Sequence, residues 1–214
     1  MDPAVSNIIN LAIRQKAPSS TENGKVLPPK RRKDTRARKH LVPSEVAALL
    51  KAARKSGRYR LRDEVAVLLA YRHGLRASEL VSLQWPQIDL RGATITVRRA
   101  KGGMTTEHPL RRIELRLLGQ LRRQEPEAAY VLMSERGTPM STSNFRKVLQ
   151  RLATVAKLPL SVNPHALRHA CGFKLAADGV DTRGLSHYLG HRSLQSTERY
   201  TAQSAARFRD FFRD

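Results

Sequence analysis

Three short segments of this chain combine arginine, histidine and tyrosine in a way that local structure alone does not explain. They are HGLRASEL at 73–80, HALRH at 165–169 and LGHRSLQSTERYT at 189–201. Guanidinium groups bind anionic oxygens in pairs and stay charged at any working pH, and imidazoles exchange protons near neutrality. A phenol can act as a nucleophile once a base accepts its proton. Each segment alone is weak evidence, but their order and spacing together are hard to explain as structure alone.

The order of these segments resembles the catalytic domain of the tyrosine recombinase, or phage integrase, family. Members of that family carry a Gly-Leu-Arg-x-x-Glu-Leu box, a lysine on a hairpin, His-x-x-Arg, a Gly-His pair and a downstream tyrosine. The matching residues here, in family order, are Arg76, Lys101, His165, Arg168, His191 and Tyr200. The resemblance covers about residues 41–214. It implies a site-specific recombinase that cuts and rejoins DNA through a 3′ phosphotyrosyl bond, without a metal or a nucleotide cofactor.

The residue types suit each step of this chemistry. Attack on a phosphodiester builds negative charge on the nonbridging oxygens, and Arg76 and Arg168 are predicted to clamp that charge. The Tyr200 phenol needs a proton acceptor, because the reference pKa of tyrosine is about 10, and His165 is the candidate. The resemblance implies that Lys101 is the general acid for the departing 5′ oxygen, and that His191 hydrogen-bonds the phosphate.

The chain departs from the family pattern in several places. His73 stands where the family often has threonine, and Ala166 stands where a polar residue is common. Most members carry a helical domain before the catalytic domain, whereas only a short basic segment precedes it here. The chain therefore resembles the compact, fimbrial-switch type of DNA invertase. Glu79, one helical turn after Arg76, is predicted either to orient basic neighbours or to be an ordinary acid on a helix surface.

A zinc site is an alternative use of the histidines. His165 and His169 lie four residues apart, and His187 and His191 follow in the next segment. The first pair lacks the glutamate of a zinc-protease helix, and the fixed charge of Arg168 disfavours a cation. We therefore expect no metal and no other cofactor.

The charge of the chain is strongly positive, since 40 lysines and arginines against 18 acidic residues give +22. This excess indicates a polyanionic partner, with DNA favoured over RNA or an anionic membrane surface. No apolar stretch is long enough to span a membrane, and no signal peptide is visible. The one cysteine, Cys171, excludes an intrachain disulfide and is expected to be buried. These observations predict a cytoplasmic, nucleoid-associated protein.

The elements that position the motifs are predicted to be mainly α-helices with a small antiparallel sheet, an α+β fold. Helical patterns cover 41 onward, 61–72, 77–83, 110–123, 141–156, 164–177, 182–189 and 193 onward. The alternation at 93–99, followed by Gly102 and Gly103, predicts a β-hairpin with Lys101 beside its turn. A strand near 85–90 would bring the sheet to about three strands. Gly74 suits a left-handed helix cap, and Asn163, Asp181 and Ser193 suit helix N-termini.

The ends of the chain differ from its centre. Residues 1–39 are rich in proline, serine and basic residues, and are expected to form a tail or linker that either contacts DNA or stays solvated. Residues 40–214 form the expected catalytic domain. The aromatic C-terminal segment, with Phe208, Phe211 and Phe212, could pack on its own core or on a neighbouring protomer. Exchange of four strands implies a synaptic homotetramer on specific sites, with accessory DNA-bending proteins as further candidate partners.

Two other functions are alternatives to a site-specific recombinase. A type IB topoisomerase shares the phosphotyrosine chemistry but does not pair two sites. A DNA-binding regulator would keep the fold without the activity, and it would need neither Tyr200 nor Lys101. Inversion, integration and excision share one chemistry, so these motifs do not choose among them.

Overall fold

Helices form most of the described chain, with one three-stranded sheet inserted between the third and fourth helix. The computed structural model describes residues 40–99, 105–159, 161–191 and 193–202. These residues belong to one compact unit, Arg38–Asp214. The elements are α1 (Pro43–Lys55), α2 (Arg60–Arg72), α3 (Ala77–Val81), β1 (Ile88–Asp89), β2 (Thr94–Val97), β3 (Thr106–Pro109), α4 (Arg112–Gln124), α5 (Thr142–Val155), α6 (Pro164–Ala177), α7 (Thr182–Leu189) and α8 (Gln195–Thr201). The predicted α+β class is confirmed.

Two helices begin at their predicted positions, where the side chain of the preceding residue caps the first turn. The Asn163 side chain accepts the backbone N–H of Ala166 at 3.0 Å, and α6 has its predicted bounds. The Asp181 carboxylate caps α7 in the same way, and this helix also has its predicted bounds. Ser193 is neither the N-cap nor a first-turn residue of its helix, because the N-cap is Leu194 and α8 begins at Gln195.

Helix α2 lies at the centre of the fold and packs against α1, α3, α4, α5 and α6. The apolar pattern predicted one buried face, but Arg62, Asp63 and Glu64 are also buried. Their charges are paired: Arg62 contacts Asp63 at 2.8 Å, and Arg54 contacts Glu64 at 2.7 Å. Ion pairing allows a charged first turn to be buried in a central helix.

The sheet has the strand order β1-β2-β3 and is antiparallel throughout. The hairpin is confirmed, with Ile95 opposite His108 and Val97 opposite Thr106. The strand predicted near 85–90 is shortened to β1, because Trp85–Gln87 form a 3₁₀ turn that contains Pro86. Proline has no N–H for a strand ladder, which accounts for the late start.

Several predictions lie outside the described residues: the hairpin turn with Lys101, the basic segment 1–39, and the C-terminal aromatic segment with Phe208, Phe211 and Phe212. Across the described ranges, no helix is long and apolar enough to cross a membrane. Cys171 is buried as predicted, and burial raises the pKa of its thiol to about 12.

Candidate active site

Two helix ends bring the first and last motifs together. Gly74 (φ 57°) follows the end of α2 and Gly190 (φ 64°) follows the end of α7, both in the left-handed conformation that glycine adopts without strain. A Cβ atom on Gly74 would collide with the side chain of Leu189, so this side chain packs directly on the backbone that follows α2. Arg76 and His191 follow these two glycines and are therefore held on adjoining segments.

Arg168, on α6, joins the same two segments. Its guanidinium donates to the carbonyl oxygens of Gly74 and, at 2.6 Å, of Leu189. Burial, followed by the charges of Arg76 and Arg99, lowers the pKa of Arg168 to about 10. It is still a cation at neutral pH, so the side chain carries positive charge into the space between the motifs.

Arg76 occupies the N-cap position of α3 and stays partly accessible, with 31% of its side chain exposed. Its Nη1 donates to Glu79 Oε1 at 2.6 Å, and its backbone N–H donates to Oε2 at 2.9 Å. The Glu79 side chain is buried rather than on a helix surface. Of the two predicted roles for Glu79, the geometry therefore favours orienting its basic neighbours.

Arg99 is a buried arginine of this site that sequence reasoning missed. Its side chain is 0% exposed and donates to Glu79 Oε2 at 3.0 Å and to the carbonyl oxygens of His73 and Tyr188. Burial lowers its pKa and the Glu79 charge opposes that shift. The alternation of buried residues was the available signal, because it continues past the end of β2: Ile95, Val97 and Arg99 are all buried.

The Tyr200 side chain is buried, with 1% exposure, in a slot between α6 and α8. Its hydroxyl lies 2.8 Å from Nδ1 of His169, its ring meets Phe173 edge-on, and the backbone of Gly172 lies against the ring. Burial raises the pKa of Tyr200, and the nearby Arg199 partly opposes this. Burial also lowers the pKa of His169 to about 4, so a neutral imidazole holds a neutral phenol.

The two predicted histidines differ in their surroundings. His165 is exposed in the first turn of α6, one turn before His169, and it is His169 that contacts the Tyr200 hydroxyl. His191 is half-buried, its ring stacks toward Tyr200 at 6.1 Å, and its Nδ1 lies 2.7 Å from Thr197 Oγ1. Burial, then the charge of nearby arginines, lowers the pKa of His191 to about 4. When Nδ1 accepts from the Thr197 hydroxyl, the neutral ring carries its proton on Nε2.

The arrangement is suited to bind an anionic oxygen and to place a phenol beside it. Arg76, Arg168 and His191 present hydrogen-bond donors, and Tyr200 presents the hydroxyl that was predicted to be the nucleophile. Within the ranges that the structure describes, no cluster of three or more histidine, cysteine or acidic side chains could hold a metal ion. The predicted general acid, Lys101, lies outside the described residues.

Comparison with known proteins gives a consistent family match. Residues 39–207 match the model described as the phage integrase family. The type 1 fimbriae regulatory protein FimB of Escherichia coli strain K12 is 40% identical over 184 residues, covering 84% of this chain and 92% of the relative. FimE from the same strain is 38% identical over 177 residues, covering 80% and 89%. The tyrosine recombinase XerA of Thermococcus kodakarensis is 34% identical over 167 residues, covering 76% of this chain and 57% of XerA.

Solved structures with the same fold include recombinases. The crystal structure of XerA recombinase matches with a TM-score of 0.70 and 26% identity, covering 80% of this chain and 63% of the other. A XerH site-specific recombinase, bound to a palindromic difH substrate in a post-cleavage complex, matches with a TM-score of 0.67 and 23% identity. That second match covers 79% of this chain and 51% of XerH, and it supports the fold alone.

Proposed function

This chain belongs to the phage integrase family of tyrosine recombinases, and on that premise we propose that Tyr200 cuts and rejoins DNA at specific sites through a phosphotyrosyl bond. The observation that carries the proposal is the pair of hydrogen bonds from Arg168 to Gly74 and Leu189, since they join the segment of Arg76 to the segment that leads to Tyr200. The charge of Arg76 helps to lower the pKa of Arg168, which supports placing these two guanidiniums close together.

In the proposed reaction, Arg76 and Arg168 bind the nonbridging oxygens of the scissile phosphate, and His191 donates from Nε2. The Tyr200 oxygen forms a bond to phosphorus as the bond to the 5′ oxygen breaks. We propose Lys101 as the acid that protonates this leaving oxygen. Rejoining reverses these steps, and the phosphotyrosyl bond conserves the energy of the phosphodiester.

The proton of Tyr200 needs a base, and two imidazoles are candidates. His169 already contacts the hydroxyl, but in a position where the phenol is shielded from solvent. A buried nucleophile must move outward to reach DNA, toward the exposed end of α6 where His165 lies. We therefore propose that His169 holds Tyr200 before DNA binds and that His165 is the base. His165→Gln should abolish cleavage, whereas His169→Gln should retain it.

We propose double-stranded DNA as the partner, supported by the net charge of +22 and the family. Binding should weaken steeply with added salt, as contacts to phosphates require. We further propose that residues 40–214 are the catalytic domain, that the basic segment 1–39 adds DNA contacts, and that four protomers assemble on paired sites because four strands are exchanged. Accessory DNA-bending proteins would serve such a complex.

Covalent trapping tests the proposed function. The protein is incubated in EDTA with nicked, labelled DNA fragments from the region flanking its gene, and adducts that survive denaturation are resolved on a gel. Tyr200→Phe should lose the adduct, and Tyr130→Phe, which removes a hydroxyl outside the site, should retain it. Absence of an adduct from the parent protein on DNA that it binds specifically would contradict the proposal.

A DNA-binding regulator is the second candidate, favoured by one observation: the fimbrial relatives are named regulatory proteins. Specific binding without any adduct would support it.

A type IB topoisomerase would instead relax supercoiled DNA that lacks a repeated site, so dependence of the product on such a site separates it from a recombinase.

A further inference from the structure

We propose that Arg99 is a positioning residue for the phosphate-binding groups: its guanidinium fixes the Arg76–Glu79 pair against the segment that carries His191. The inference rests on the proposed recombinase function and extends it, because Arg99 is not one of the residues that the motifs identify. It acts through other side chains and does not itself reach the substrate, since it is fully buried.

The backbone contacts of Arg99 join two helix ends. The last carbonyl oxygens of an α-helix have no partner within the helix and form its negative pole. Arg99 donates to the carbonyl oxygen of His73, at the end of α2, and to that of Tyr188, at the end of α7. Arg168 donates to the next carbonyl oxygen along each segment. At each of the two helix ends, Arg99 and Arg168 therefore bind the carbonyl oxygens of consecutive residues. Together they hold the two ends side by side.

The side-chain contact of Arg99 extends this link to Arg76. Glu79 Oε2 accepts from Arg99 at 3.0 Å, and Glu79 Oε1 accepts from Arg76 at 2.6 Å. One carboxylate thus lies between two guanidiniums, and the three groups together carry one net positive charge. Without Arg99, the charge of Glu79 would cancel that of Arg76, and the attraction of this pair for a phosphate would fall.

The stem of Arg99 contacts the other segment. A Cβ atom on Gly190 would lie 2.6 Å from Arg99 Cγ, so the stem packs directly on the backbone that precedes His191. Packing alone would be served by an apolar side chain, as Ile95 and Val97 show on the same face of the strand. Packing therefore does not explain why this residue is charged and has a planar, forked donor group. Its contacts with two carbonyl oxygens and a carboxylate do explain it.

The test measures single-turnover adduct formation by Arg99→Met, Arg99→Lys and a matched control, Arg98→Met. The control removes the exposed arginine that immediately precedes Arg99. We expect Arg99→Met to slow adduct formation by roughly 10²-fold, because Glu79 would then neutralise Arg76, which amounts to losing the charge of one donor at the phosphate. Arg99→Lys, which keeps the charge but not the fork, should fall between Arg99→Met and the parent. Arg98→Met should stay within a few-fold of the parent.

A second substrate separates positioning from general loss of structure. A methylphosphonate at the scissile position replaces one charged nonbridging oxygen by a neutral methyl group, so less charge develops for Arg76 to stabilise. The defect of Arg99→Met relative to the parent should then shrink to less than about 10-fold. Circular dichroism shows whether Arg99→Met folds. If it does not, the defect of Arg99→Lys relative to the parent is compared on the two substrates instead.

The outcomes are distinguishable. Equal defects on the charged and neutral substrates would mean that Arg99 only supports the fold, and would overturn the inference. So would a parent-like rate for Arg99→Met on ordinary DNA. A parent protein that forms no adduct on specifically bound DNA would contradict the proposed function itself, whatever the variants do.

Discussion

Replacement of His108 by glutamine is predicted to make the protein less sensitive to mild acid. His108 lies on β3 with 1% of its surface exposed, its ring stacked on Tyr188 at 3.9 Å between centroids. Its Nδ1 is 3.2 Å from Nδ1 of His73, and its Nε2 is 3.0 Å from Thr106 Oγ1. His73 in turn contacts Glu114 at 3.0 Å. This buried chain of contacts ties β3 to the end of α2.

The expected magnitude follows from the pKa of His108. Burial chiefly, and then the charges of His73 and Arg99, lower this pKa to about 3, against about 6.5 in an unfolded chain. Between these values the unfolded chain binds a proton that the folded protein does not, so the free energy of unfolding decreases as the pH falls below 6.5. The slope is about 1.4 kcal/mol per pH unit, which gives a loss of about 2 kcal/mol from pH 7.5 to pH 5.

Urea denaturation at pH 7.5 and pH 5, followed by circular dichroism, measures this loss. The parent should lose about 2 kcal/mol more than His108→Gln over the interval, a large part of a typical stability of about 5–15 kcal/mol. His169 and His191, whose pKa values are also lowered by burial, contribute equally to both proteins and cancel. His187→Gln, which removes an exposed histidine, is the matched control and should behave as the parent. Equal losses in the parent and His108→Gln would refute the reasoning.

Two substitutions and one labelling experiment give three further predictions. Gly190→Ala should lower the free energy of unfolding by at least about 1 kcal/mol in a urea titration, because φ is 64° and the new methyl would meet Arg99; parent-like stability would contradict this. Gly172→Ala places a methyl 2.8 Å from Tyr200 Cζ, so adducts should be lost while gel-shift binding persists. The thiol of Cys171, with its pKa raised by burial to about 12, should resist iodoacetamide at pH 8 until urea unfolds the chain; rapid alkylation of the folded protein, measured by mass spectrometry, would argue against burial.

The parts of the fold that the sequence predicts are those set by neighbouring residues. Helices α6 and α7 begin at Asn163 and Asp181 because each side chain satisfies backbone N–H groups within its own first turn. Gly74 has the left-handed conformation that was predicted for a helix end. The hairpin follows from two-residue alternation, and it is confirmed by the pairing of β2 and β3.

The parts that the sequence does not predict depend on contacts between distant segments. Arg99 stands in a basic pair that is typical of a surface, and only its contacts with Glu79 and the two helix ends explain its burial. His73 departs from the family pattern, and its partner His108 lies 35 residues away in sequence. The contact of His169 with the hydroxyl of Tyr200 spans 31 residues. No local pattern encodes such pairings.

The two carbonyl partners of Arg168 also determine when a newly made chain acquires its site. Gly74 and Leu189 are about 115 residues apart in sequence, so at roughly 5–20 residues per second a ribosome makes the second about 6–23 seconds after the first. During that interval the emerging chain already carries many of its basic side chains, but Leu189 and Tyr200 have not been synthesised. Under the proposed mechanism, a half-made chain that meets DNA therefore lacks the nucleophile needed to cut it.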